Sequence, residues 1–167
     1  MKTLLITIDH LHTKIGLAHM DIKLENLVLD DNFTLKICDF GFAHDITTRH
    51  YHSMGTGFYQ APEIVQCDRS RGYSGQLADI FALGVTFFIL VFGVPPFLSA
   101  SNSDQNFILM QRASRGGLEF MKYFARNHQA TRTTIFQNEG SQNEIELLEM
   151  LFSMMNANPD RRPQNAL

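Results

Sequence analysis

Apolar residues recur at helical spacing near the start of the chain: Leu4, Ile8, Leu11 and Ile15. That period predicts a helix over Met1–Leu17, opening without a capping side chain and closing near Gly16. Leu27-Val28-Leu29 and Leu35-Lys36-Ile37 then read as two short strands. The turn residues Asp30-Asp31-Asn32 lie between them, which predicts a hairpin. Residues 41–60 are rich in Gly, His, Ser and Thr and show no period, so they read as a long loop, a feature usually tied to function. Asp79–Phe92 reads as a helix that is apolar on all sides, inside an uncharged stretch from Ile80 to Leu98. About 18 apolar residues raise the question of a membrane span, but Pro95 and Pro96 close this run early, and a buried core helix has the same pattern. Two further helices are expected around Asn106–Arg115 and Leu118–Asn127. Ser141 and Glu144 form a capping box that opens a helix running to about Met155, and Asn158-Pro159 follows its end. The pattern as a whole predicts a mainly α fold with a small β-hairpin.

Composition narrows the class. The chain has 167 residues, 44% apolar and 19% charged, as in a globular domain with a real core. A net charge of −3 with both signs interspersed gives no electrostatic case for nucleic acid or anionic membrane as a partner. The two cysteines, Cys38 and Cys67, have no metal-ligand spacing and read as free thiols of a reducing compartment. The N-terminal apolar run is too short and too polar for a signal peptide, so the expected location is cytoplasmic.

Three motifs follow one another in order. His19-Met20-Asp21-Ile22-Lys23-Leu24-Glu25-Asn26 comes first, Asp39-Phe40-Gly41 second, and Ala61-Pro62-Glu63 third. Together they resemble the H-R-D-x-x-x-x-N catalytic loop, the D-F-G motif and the A-P-E motif of the protein kinase family. Each triplet alone is weak; the set, in order and with a hairpin between the first two, is specific. Lys23 and the run Gly55-Thr56-Gly57-Phe58-Tyr59 resemble the Ser/Thr rather than the tyrosine kinases. Asp79-Ile80-Phe81-Ala82-Leu83-Gly84 resembles the start of the central helix of the family, and Asn158-Pro159-Asp160-Arg161-Arg162-Pro163 its late structural motif. The resemblance spans nearly the whole chain, least securely over 99–137.

The resemblance implies roles. Asp21 accepts or orients the substrate hydroxyl, and Lys23 steadies the transferring phosphate. Asn26 and Asp39 bind Mg2+, for which hard oxygen ligands suit. Val28 contacts adenine from the floor of the ATP pocket. Thr56 hydrogen-bonds Asp21, while His19 and Phe40 pack to align the two carboxylates. Asp79 ties down the catalytic loop through backbone N–H groups, and Glu63 forms a buried ion pair with Arg162. A protein substrate is the implied partner, with ATP and Mg2+ as cofactors.

Departures from the family pattern shape the remaining expectations. These 167 residues carry no Gly-rich phosphate loop and no V-A-I-K lysine. The domain is therefore expected to be partial: a C-terminal lobe over 1–167, with catalytic loop 19–26, activation segment 39–63 and central helix about 79–92. Such a lobe alone is expected to hold Mg-ATP weakly and to be inactive by itself. It would expose an apolar face near Val28 and Phe40, open to an N-terminal lobe or to another protein. Met20 replaces the usual Arg and cannot pair with a phosphorylated loop, so phosphorylation at Thr47, Thr48 or Ser53 is expected to matter little. His44, His50 and His52 read as solvent-exposed loop histidines rather than a metal site. Glu25 is equally a reader of basic substrate residues and a plain surface acid. On the residues alone two functions stay open: a Ser/Thr kinase, and an inert pseudokinase-like module that docks proteins.

Overall fold

The computed structural model describes residues 1–67, 70–112, 118–127 and 142–166. Helix α1 spans Lys2–His10 and buries Leu4 and Ile8, as the period predicts. The chain then widens into a looser turn over Leu11–Ile15, closed by Gly16 at φ 78°. That widening rotates the apolar face, so Leu11 stays in the core while Ile15 points outward. Leu17 is not helical: it pairs in strand β1 (Leu17–Ala18).

Strands β2 (Leu27–Leu29) and β3 (Leu35–Ile37) form the expected antiparallel hairpin, with Leu27 opposite Ile37. Asp30 makes its turn: one carboxylate oxygen accepts the N–H groups of Asn32 and Thr34 at 3.0 and 2.9 Å. The loop read over 41–60 is more structured than expected. Strand β4 (His44–Asp45) pairs antiparallel with β1, and β5 (Arg49–His50) pairs with β6 (Tyr73–Ser74). The fold is mainly α, but among the described residues it has three two-stranded pairs, not one hairpin.

Helix α2 (Pro62–Gln66) starts with Pro at its first turn, where a missing N–H costs nothing. Helix α3 runs Gly75–Phe92, four residues longer at its start than its apolar pattern suggests, because Ser74 caps it through Leu77 N–H. Its burial on all sides, from Ile80 through Phe88, is that of a core helix. Helices α4 (Gln105–Arg112) and α5 (Leu118–Asn127) close the distal end, and α6 (Gln142–Met154) packs across α3. Gly84 makes that crossing possible: a Cβ there would sit 2.7 Å from Met155 Cγ and 2.9 Å from Met154 Cβ. The Ser141–Glu144 capping box lies outside the described residues. The expected ion pair is present. Both terminal guanidinium nitrogens of Arg162 donate to Glu63, at 2.6 and 2.7 Å, and the guanidinium lies over the ring of Phe81.

Candidate active site

The segment from His19 to Asn26 leaves β1 through a tight bend. Met20 sits at φ 67°, a left-handed conformation uncommon outside glycine. Asp79 on α3 holds this bend. Its two oxygens accept the backbone N–H groups of His19 and Met20 at 2.7 and 2.8 Å, and His12 donates to it at 2.8 Å. Three donors satisfy a carboxylate that is almost wholly buried, which is the condition for keeping a charge in the core.

Beyond the bend, four side chains converge. Thr56 Oγ1 donates to Asp21 Oδ1 at 2.7 Å, and Lys23 Nζ donates to Asp21 Oδ2 at 2.6 Å. Lys23 also reaches Thr56 Oγ1 at 2.9 Å. Asn26 Nδ2 donates to the Asp21 carbonyl at 2.8 Å and, more weakly, to Oδ2 at 3.3 Å. Burial alone would raise the Asp21 carboxyl, but the hydrogen bonds from Lys23 and Thr56 outweigh it and hold it below the usual range. The same hydrogen bond from Lys23 to Asp21 raises the ammonium above its ordinary value. Near neutral pH the pair is therefore a carboxylate, able only to accept, beside a full positive charge. Gly55 lets the opposite wall approach: at φ 87°, a Cβ would lie 2.9 Å from the Met20 carbonyl.

The β2–β3 hairpin brings the second carboxylate near. Cys38 N–H donates to the Asn26 carbonyl at 3.0 Å, so Asp39 follows directly beside the start of β2. Asp39 adopts φ 63°, and its Oδ1 accepts Gly41 N–H at 3.2 Å. His19 links the two acids. It accepts Asp21 N–H at Nδ1 (3.3 Å), donates from Nε2 to the Cys38 carbonyl (3.1 Å), and packs against Phe40 with ring centroids 4.8 Å apart. These two bonds fix its tautomer.

Asn26 and Asp39 fit a hard divalent cation. Their carbonyl and carboxylate oxygens are the required donor type, and both Asn26 N–H contacts go to Asp21, which leaves Oδ1 on the opposite side of the amide. Among the described residues no group of three or more His, Cys, Asp or Glu could hold a metal by itself. Val28 is 44% and Phe40 46% exposed, and Leu29, Phe33 and Phe42 are exposed with them. The exposure of Val28 and Phe40 agrees with the expectation for those two residues.

The structure thus gathers Asp21, Lys23, Asn26 and Thr56, sets Asp39 beside them through the hairpin, and leaves Val28 exposed on β2. Sequence reasoning missed His12, a second support for Asp79, and Tyr59, whose hydroxyl accepts Leu24 N–H at 3.5 Å and donates to Glu25 at 3.4 Å. The only signal for His12 was its place in an otherwise apolar helical pattern, and Tyr59, in a segment without a period, gave none. One expectation is corrected: His50 is not a solvent-exposed loop histidine. It is 6% exposed, because β5 pairs with β6 and turns its ring inward. His44 and His52 are exposed as expected. Cys38 and Cys67 are free thiols.

Comparison with known proteins bears on this geometry. The protein kinase domain family matches residues 1–166. CBL-interacting protein kinase 28 of Oryza sativa subsp. japonica is 38% identical over 66% of this chain and 25% of its own length. CBL-interacting serine/threonine-protein kinase 5 of Arabidopsis thaliana is 36% identical over 74% of the chain and 27% of its length. The human cAMP-dependent protein kinase catalytic subunit PRKX is 34% identical over 72% of the chain and 31% of its length. The chain therefore aligns with between a quarter and a third of each of these relatives.

Proposed function

The chain belongs to the protein kinase domain family, and from that premise we propose that it carries the phosphoryl-transfer half of a Ser/Thr protein kinase site. The observation that carries this reading is the Asp21 carboxylate held by Lys23 and Thr56 at 2.6 and 2.7 Å. Asp21 accepts the proton of a substrate Ser or Thr hydroxyl while that oxygen forms a bond to the γ-phosphorus of ATP. The bond from that phosphorus to the bridging oxygen breaks, and ADP leaves with the electron pair. Lys23 places a positive charge against the transferring phosphoryl oxygens. Asn26 and Asp39 would hold Mg2+, which neutralises phosphate charge when bound. Thr56 keeps the Asp21 carboxylate turned toward the hydroxyl. Val28 meets the adenine. ATP as donor, and the free thiols of Cys38 and Cys67, support an intracellular site of action.

The openness of Val28 and Phe40 supports a second part of the reading. The nucleotide needs a cover on that face, and these 167 residues alone hold Mg-ATP weakly. The same open apolar face favours an alternative function, a module that docks another protein there.

The test is transfer of labelled γ-phosphate from millimolar Mg-ATP to a basic Ser/Thr peptide, using this chain and a longer two-lobed form. Asp21→Asn and Asp39→Ala are run beside each. Loss of transfer in both variants of the longer form supports the kinase reading. Transfer unchanged by Asp21→Asn refutes it, and no transfer from any form favours the docking module. Micromolar ATP affinity of the 167 residues overturns the weak-binding claim.

A further inference from the structure

His50 is buried, yet its Nε2 has no hydrogen-bond partner. The ring sits where two strand pairs meet. His44, opposite Ala18 in the β1–β4 pair, meets it edge-on at 4.9 Å, and Tyr73, opposite it in the β5–β6 pair, lies at 5.6 Å. Below it is an apolar seat. A Cβ added to Gly75 would lie 3.5 Å from His50 Nε2, 2.7 Å from Met20 Sδ and 2.8 Å from Ala18 Cβ. Met20 belongs to the catalytic loop, and Gly75 opens the helix whose Asp79 holds that loop. Gly75 therefore lies between the ring and Met20 of the loop that carries Asp21.

We propose that His50 is a proton-gated latch: its neutral ring, seated between His44 and Tyr73 over Met20 and Gly75, holds segment 44–50 against the catalytic loop, and protonation releases it.

The charges around the ring decide the direction. From β4 comes His44, which adds repulsion once both rings are protonated. From β6 comes Tyr73, whose phenol burial pushes up to about 12, so it stays neutral. From α3 comes Asp79, whose attraction opposes release but whose oxygens are already engaged with His19, Met20 and His12. Met20, Ala18 and Gly75 bring no charge. Burial, with His44 adding to it, outweighs Asp79 and lowers His50 below the ordinary histidine value. The sign follows. The unfolded or released ring binds a proton first, so the latch is fully engaged above about pH 6.5 and is lost as pH falls through the folded value.

The experiment is amide hydrogen exchange of this chain from about pH 7.5 to 5, read as protection factors for residues 44–50, with α3 residues 80–88 as the fold control. The expected result is a loss of protection in 44–50 of up to about tenfold per pH unit between pH 6.5 and the folded value, with α3 unchanged. His50→Phe keeps the ring and removes the proton site, so its protection should stay level. Level protection in the wild type, or an equal loss in His50→Phe, overturns the proposal. Should His50→Phe not fold, the wild-type ring decides by NMR titration. A midpoint below about 6.5 that tracks the exchange supports the latch, and one at or above it overturns the latch.

Discussion

Replacing Glu63 or Arg162 tests how the C-terminal end of the domain is fastened to the segment that follows the site. The Arg162 side chain is 0% exposed and makes four hydrogen bonds. Two go to Glu63, one from Nη1 to the Leu77 carbonyl at 2.9 Å, and one from Nε to the Asn156 carbonyl at 2.8 Å. Phe81 faces the guanidinium 5.0 Å away. Glu63 is 16% exposed, so its carboxylate has a path to water. The two truncations are therefore unequal. Glu63→Leu strands a guanidinium that cannot reach solvent, which costs about 3–5 kcal/mol. Arg162→Met frees a carboxylate that can hydrate, and loses two neutral carbonyl acceptors' partners and a cation–π contact, about 2–4 kcal/mol in all.

The double variant, Glu63→Leu with Arg162→Met, removes both charges and should recover about 2 kcal/mol relative to the sum. Urea unfolding at neutral pH, followed by circular dichroism at 222 nm, measures all four corners of the cycle. Thermal unfolding should show Glu63→Leu melting roughly 6–20 °C below the wild type. The exposed Lys36–Asp30 pair, at 3.4 Å with side chains 58% and 33% exposed, is the internal control. Replacing Lys36 there should leave stability nearly unchanged, because water screens an exposed pair. A coupling energy below about 0.5 kcal/mol for Glu63 and Arg162, or equal cost for the buried and exposed pairs, refutes the reasoning.

Gly84→Ala forces a methyl against Met154 Cβ, which its backbone holds in place. The strain, about 1–3 kcal/mol, outweighs the roughly 1 kcal/mol that alanine gains in a helix. The variant should melt below the wild type, and an equal or higher melting temperature rejects this account of the α3–α6 crossing. Thr56→Val deletes a hydrogen bond to Asp21 and should raise the Asp21 pKa, as read by carbon-13 NMR of its carboxyl. Stability linked to that carboxylate is present above the unfolded value of about 3.9 and lost as pH falls through the folded one. The variant should therefore show less acid-dependent destabilisation, and an unchanged or lower pKa counts against Thr56 as a support.

What the sequence made legible was whatever rests on near neighbours. Asp21, Lys23 and Asn26 lie within six consecutive residues, where the resemblance to the kinase catalytic loop picks them out, and the Leu27–Ile37 hairpin closes over a five-residue turn whose composition marks it locally. The Glu63–Arg162 pair, 99 positions apart, was legible only through resemblance to the kinase family. His50 marks the limit. Its burial depends on pairing with Tyr73 and on the close approach of Gly75, neither of which is local to it. Read in its own segment it is a polar residue among Gly, Thr and His, which is the pattern of an exposed loop. Met20 has the same history. Read as a missing Arg, it predicts only that a phosphorylated loop loses its partner. In the structure Met20 is buried, and its thioether and the His50 ring both lie against Gly75. An Arg at position 20 would put a cation beneath a ring already short of hydrogen bonds. If the proposed latch holds, segment 44–50 is fastened by packing rather than by charge, and a response to pH is what that arrangement predicts.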